Sequence, residues 1–176
     1  MTIDRLRTAR LRLDPLTVAD AAEMVGVLST AALYAFTGGA PPGLDELRAR
    51  YERQAAGRSP DGREEWRNWI LRREPGGQAV GYVQATITDG GQRAEIAWVV
   101  GLGWQGRGYA TEAALALVAW LDSRGAGVIR AHIHPGRGRP ALPRTASSSG
   151  CGTGPRRPGY RWIRRVPERC LLARPR

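Results

Sequence analysis

Leucine alternates with charged residues along Arg10-Leu11-Arg12-Leu13-Asp14, before Pro15-Leu16. A period of two buries one face of a chain and wets the other, so this segment is predicted as a half-buried strand ended by proline. The period then changes. Thr17 precedes an apolar run with Asp20 three residues on, the signature of a capped helix start, and Ala21, Met24, Val25 and Leu28 fall on one helical face. A loop rich in glycine and proline runs from Tyr34 to Gly43. Leu44, Leu47 and Tyr51 then mark the inward face of a second helix reaching Ala56, with Glu46 and Arg50 paired one turn apart on its solvent face. Three strand-like runs follow: Trp66 to Glu74, Ala79 to Thr88 and Arg93 to Val100. Pro75-Gly76-Gly77-Gln78 and Asp89-Gly90-Gly91 separate them, and this turn chemistry predicts an antiparallel meander in which Trp66 and Trp69 serve sheet packing. Gly101 to Gly108 is a glycine-rich loop, Tyr109 to Arg124 a helix closed by Gly125, and Val128 to His134 one more strand. Strand, crossover helix and strand make a right-handed βαβ unit. The predicted class is α+β, a mixed α/β sandwich with helices on both faces of the sheet, in one domain over residues 1–134.

Composition agrees with a single domain and removes several functions. At 176 residues, with 42% hydrophobic and 24% charged, the chain is globular and long enough for one sizeable core. No apolar run approaches the roughly 18 residues of a membrane span, and Met1 to Arg12 lacks the apolar stretch of a secretory signal, so the expected location is cytoplasmic with no membrane partner. Cys151 and Cys170 are too few for a disulfide scaffold or a four-cysteine zinc site. His132 and His134 share a strand face, but without a third ligand they predict no metal.

The net charge of +11 sits unevenly. All 27 basic residues are arginine; residues 1–134 hold 16 of them against 15 acids, and residues 135–176 hold 11 against Glu168 alone. The basicity belongs to the last quarter of the chain, together with seven of the 12 prolines.

The chemistry points to the segment between the third meander strand and its helix. Gly101-Leu102-Gly103-Trp104-Gln105-Gly106-Arg107-Gly108 leads straight into Tyr109-Ala110-Thr111. Small residues at a helix start leave backbone N–H groups free to face a phosphate or pyrophosphate, and Arg107 adds a cation. A Walker loop is excluded because the chain has no lysine. Gly101, Gly103 and Gly106 do satisfy the spacing of a dinucleotide loop. Against that reading, three antiparallel strands precede the loop and no acid follows about 20 positions on. An NADP-binding oxidoreductase, with Arg130 toward a 2′-phosphate, is the remote alternative.

Gln105-Gly106-Arg107-Gly108-Tyr109-Ala110 resembles the acyl-coenzyme A motif Q/R-x-x-G-x-G/A of the GNAT-superfamily N-acetyltransferases, and Thr111-Glu112-Ala113 is a typical continuation. Thr8 to Leu16, with Asp20, is similar to the ribosomal-protein N-terminal acetyltransferase (RimJ/RimL-like) branch. The resemblance covers residues 1 to about 134 and implies transfer of an acetyl group from acetyl-CoA to a primary amine, on a protein N-terminus or a small molecule, in a ternary complex. It implies that Trp98, Val99 and Val100 receive the pantetheine through their main chain, like an added strand. Gln105, Gly106, Arg107, Gly108, Tyr109 and Ala110 would hold the pyrophosphate, with Thr111 close by. A backbone N–H near Val99 would polarise the thioester carbonyl. Glu95 stands where some members carry a base, its alternative being a solvent-facing residue paired with an arginine. Tyr34, Gly38 and Gly39 stand where the family shapes its acceptor site. The resemblance sets no oligomeric state beyond monomer or homodimer.

The family pattern stops at Pro135. Pro135-Gly136-Arg137-Gly138-Arg139-Pro140 forbids the helix the family places there, and only Gly159 to Val166 is strand-like. Three readings of residues 135–176 stay open: a poorly ordered Arg-rich appendage binding RNA, a folded substitute for the missing elements, or translation in a shifted frame of a GC-rich gene. With them go two functional alternatives, a GNAT-like acyl-CoA binder with impaired turnover and an RNA-associated protein acting through its tail.

Overall fold

The computed structural model describes residues 4–35, 39–132 and 160–165. Among these residues seven strands form one sheet in sequential order: β1 (Leu6–Arg7), β2 (Leu11–Pro15), β3 (Glu65–Arg73), β4 (Ala79–Thr88), β5 (Arg93–Val100), β6 (Val128–His132) and β7 (Tyr160–Arg165). Neighbours are antiparallel except β5 and β6, which run parallel across the βαβ crossover. Three α-helices among the described residues accompany the sheet: α1 (Ala21–Val27), α2 (Leu44–Ala55) and α3 (Tyr109–Ser123). The predicted mixed sandwich is therefore the observed one. Within the strand-like run expected at Gly159–Val166, Tyr160–Arg165 form β7 and pair with β6; Gly38, residues 133–159 with His134 and Cys151, and residues 166–176 with Cys170 lie outside the described residues.

The alternation that predicted the strands also divides the core between the two faces. Leu11, Leu13, Trp69, Leu71, Val83, Ala94 and Ile96 point to one side and pack with Ala113, Leu117 and Leu121 of α3. Ile70 and Ala79 point to the other and pack with Met24 of α1 and with Leu47 and Tyr51 of α2. Trp69 is fully buried, meets Trp120 edge-to-face at 5.1 Å and donates its indole N–H to the Asp4 carbonyl at 2.8 Å, so sheet packing is its role.

The first predicted helix is split. Thr17 and Asp20 do cap a start, the Asp20 carboxylate accepting from the Thr17 N–H and hydroxyl at 2.8 Å each, but Val18–Asp20 is a 3-10 turn and α1 begins only at Ala21. Arg72 on β3 explains the placement: its guanidinium meets Asp14 at 3.3 Å, and Asp20 and Glu23 at 2.7 Å each. Glu23 also accepts the Ala79 N–H at 2.7 Å. This half-buried network fastens the start of α1 to the ends of β3 and β4, the sheet edge from which the glycine-rich loop rises.

Candidate functional site

Two features of β5 open a slot beside it. The parallel pairing of β5 with β6 runs from Arg93–Val128 only to Ile96–Ala131, so among the described residues the last half of β5 has a partner on one side alone. On that other side, Gly101 donates its N–H to the Val80 carbonyl at 2.9 Å. Backbone groups alternate along a strand, so Val99, paired opposite Tyr82, shares the edge facing β4. Trp98 and Val100 turn their N–H and C=O groups to the open edge. Of the three residues expected to meet a pantetheine, two thus direct hydrogen-bonding groups into the gap, and the backbone of Val99 is directed to β4.

The loop that follows is open. A β-carbon on Gly103 or Gly106 would meet no atom within 4 Å. Gly106 and Gly108 have φ of +76° and +80°, which L side chains rarely adopt. Gly108 occupies the N-cap position of α3 and has no side chain to satisfy the first-turn donors. Among the described residues, the N–H groups of Gly106, Arg107 and Gly108 have no acceptor. These orphan donors, at the positive end of a 15-residue helix, make an open cradle of the kind that can receive an anion. Gln105 braces the cradle from behind: its N–H goes to Leu102 at 3.2 Å and its side-chain amide to the Val100 carbonyl at 2.9 Å. The Arg107 guanidinium rests 5.1 Å over Trp104, which also carries Arg73 at 5.4 Å.

A second set of residues, Thr8, Arg10 and Glu112, is built against this loop, and the sequence reading gave it no site role. Glu112, one turn into α3, accepts from the Thr8 hydroxyl at 2.5 Å, the Arg10 N–H at 2.9 Å and the Arg10 Nε at 2.8 Å. Arg10 Nη1 in turn donates to the Arg107 carbonyl at 3.0 Å. Burial alone raises the Glu112 carboxyl, but the hydrogen bonds from Thr8 and Arg10 and the Arg10 charge outweigh it and hold the group below the ordinary carboxylate range. The signal was in the sequence as the Thr8 to Leu16 run and Thr111-Glu112, but nothing there joins positions so far apart.

The opposite face of β5 holds the residues expected near an acceptor. Tyr34 donates its hydroxyl to the Leu28 carbonyl at 3.1 Å, and a β-carbon on Gly39 would stand 4.0 Å from its ring. Tyr34, Tyr82, Val27 and Val99 pack half-buried against the same cluster beneath α1 and α2. Tyr82 is an addition to the sequence reading; the meander register sets it opposite Val99. Burial pushes the phenols of Tyr34, Tyr51 and Tyr82 up, so all three stay protonated. Glu95 shares the Val99 face by the period of two, about 13 Å down the strand, and is exposed, with Thr86 and Arg130 as its cross-strand neighbours. No cluster able to hold a metal ion occurs among the described residues.

Comparison with known proteins points to one family. The family described as acetyltransferase (GNAT) domain matches residues 10–137. Comparison with curated proteins gave no match. Similar solved structures include a GNAT-family acetyltransferase from Bacillus anthracis, at TM-score 0.63 and 17% identity over 75% of each chain. An acetyltransferase from Agrobacterium tumefaciens is similar at TM-score 0.59 and 25% identity over 77% of each. The Salmonella typhimurium enzyme that modifies the N-terminal serine of ribosomal protein L7/L12 is similar at TM-score 0.63 and 13% identity, over 76% of this chain and 78% of that one. With the family's domain matched over most of its sequence, this chain belongs to the GNAT acetyltransferase family, whose acetyl donor is acetyl-CoA.

Proposed function

We propose that the protein transfers the acetyl group of acetyl-CoA to a primary amine by direct attack, with both substrates bound together. The observation that carries this reading is that three N–H groups without acceptors among the described residues, at Gly106, Arg107 and Gly108, lie in the loop that follows the open edge of β5. Bound acetyl-CoA supplies an activated acyl thioester. The loop and the first turn of α3 fix its diphosphate, and the gap-facing groups of Trp98 together with the Val100 N–H take the pantetheine as a short added strand, the Val100 carbonyl being held by Gln105. In that placement an N–H of the same edge donates to the thioester carbonyl as negative charge develops on its oxygen.

The amine must arrive or become neutral, because an ammonium has no lone pair. Glu95 lies too far down the strand for direct contact with an amine at Val99, so it drains the proton through water. Tyr34, Gly39 and Tyr82 wall the acceptor side. The Salmonella relative acts on a protein N-terminus, and an exposed N-terminal amine is the acceptor we favour over a free small amine; the cytoplasm, with its supply of acetyl-CoA, is the compartment that suits this reading.

Two experiments test the proposal. Acetyl-CoA raises the melting temperature and NADPH does not, since only a ligand that binds the native state stabilises it. Initial rates against both substrates, measured over peptides with free N-termini and small amines, give intersecting lines. Parallel lines, which indicate a covalent acyl-enzyme, or binding with no turnover on any amine, contradict direct transfer.

A further inference from the structure

A negative side chain beside an anion cradle needs an explanation. Glu112 lies in the first turn of α3, where its charge opposes a bound diphosphate, yet only 17% of its side chain is exposed and its oxygens are taken by Thr8 and Arg10. Arg10 is held on both sides: Nε and Nη2 lie on Glu112, at 2.8 and 2.6 Å, while Nη1 reaches the Arg107 carbonyl at 3.0 Å. Its guanidinium also lies 5.0 Å over the Tyr109 ring, and its own carbonyl accepts the Glu74 N–H at 2.9 Å. The arginine is thus fixed to α3 and to the loop by its side chain, and to the residue that follows β3 by its main chain.

Peptide planarity turns this into a statement about aim. In a trans peptide the carbonyl and the following N–H point in opposite directions. The carbonyl that Arg10 holds belongs to Arg107, so the N–H of the same peptide is that of Gly108. Pulling the carbonyl toward Arg10 drives the Gly108 N–H the other way, where no acceptor stands among the described residues. Gly108 has φ of +80° and no side chain, so local sterics alone leave this peptide free to rotate.

We infer that Arg10 and Glu112 are positioning residues for coenzyme binding: Glu112 anchors Arg10, and Arg10 holds the Arg107–Gly108 peptide so that its N–H faces the diphosphate. This rests on the reading of the loop given above. The rival role for Arg10 is a direct ionic contact with phosphate. The two differ in sign at Glu112. If Arg10 were a phosphate ligand, removing Glu112 would free it and lift a repulsion, and coenzyme would bind more tightly. If the pair aims a peptide, removing either member weakens binding.

Calorimetry with CoA reads this without turnover. Arg10→Ala and Glu112→Ala each weaken the CoA Kd about tenfold, the scale of one lost charge-assisted contact. Thr8→Val, which removes one donor to Glu112 and leaves Arg10 in place, weakens it about two- to threefold. S-acetylpantetheine, which carries the thioester but no diphosphate, is the control donor: its kcat/KM is unchanged in all three variants, whereas KM for acetyl-CoA rises with the CoA Kd. Tighter CoA binding by Glu112→Ala, or parallel losses with both donors in the mild Thr8→Val variant, overturns the assignment. A wild-type protein indifferent between acetyl-CoA and S-acetylpantetheine overturns the loop reading itself and is recognised separately, before any variant is made.

Discussion

A β-carbon on Gly81 would stand 2.1 Å from the Val99 carbonyl oxygen and 2.9 Å from the Val100 Cα. Both contacts are to backbone, and no side-chain rotation relieves them. Gly81 is thus the residue that lets β4 and β5 approach at the level where β5 parts from β6. Gly81→Ala is expected to push the end of β5 away from β4 and to displace the Trp98 and Val100 groups that line the gap. Acetyl-CoA KM rises and kcat falls together by tenfold or more, as about an ångström of misplacement at a reacting centre produces. Because Gly81 is paired to both β3 and β5, a melting curve of the variant accompanies the kinetics, and the reading applies to protein that is folded. Wild-type kinetics for Gly81→Ala would show that the position of Val99 and Val100 does not matter.

Within the loop, glycines divide by backbone angle. Gly106 and Gly108 hold positive φ, whereas Gly103 does not and has open space around it. Gly108→Ala therefore strains the start of α3, and its new methyl presses Arg10 at 3.3 Å, while Gly103→Ala costs nothing. The expected result is coenzyme affinity weakened about tenfold by the first and unchanged by the second, read by calorimetry. Equal effects would contradict the geometry.

Glu95 tests the proton path. Glu95→Gln keeps the size and exposure of the side chain and removes its basicity. If the carboxylate drains the amine proton, kcat drops by about 10² at neutral pH with acetyl-CoA KM unchanged. The deficit shrinks as pH rises and the amine deprotonates unaided. A flat, wild-type profile assigns Glu95 to the surface.

Acid stability follows from two carboxyls. Glu23 and Glu112 are buried in part, which raises them, but hydrogen bonds and arginine charges outweigh burial and hold both below their ordinary value of 4.5. A carboxyl with a depressed native pKa binds fewer protons folded than unfolded, so its stabilisation is complete above about 4.5 and fades as pH falls through the native value. Melting temperature should hold steady from neutrality to near pH 5 and then decline. In Glu112→Gln the decline is shallower, since one of the two groups no longer titrates. An unchanged slope would contradict the coupling of Glu112 to Arg10.

Much of the fold was legible because its strands alternate cleanly. Ala79–Thr88 and Arg93–Val100 are observed as read, since apolar positions at every second residue and glycine turns between them leave few alternatives. The loop was legible because glycine spacing is local. Other features depend on distance in sequence. The split of the first helix comes from Arg72 on β3 gathering Asp14, Asp20 and Glu23, which no window around Thr17 contains. The bracing of the loop by Thr8, Arg10 and Glu112 joins residues about a hundred positions apart. The direction of the Val99 backbone follows from strand register, which the meander implies but which Gly101 bonding to Val80 fixes.

The central claim is that main-chain N–H groups at one helix start hold the coenzyme. Amide chemical shifts of nitrogen-15-labelled protein, followed during titration with acetyl-CoA, test it most directly. The account predicts that the resonances of Gly106, Arg107, Gly108 and Tyr109 move first and furthest, saturating with the calorimetric affinity, and that NADPH leaves them in place. Binding of acetyl-CoA that leaves those amides unmoved, or NADPH that shifts them instead, would contradict it.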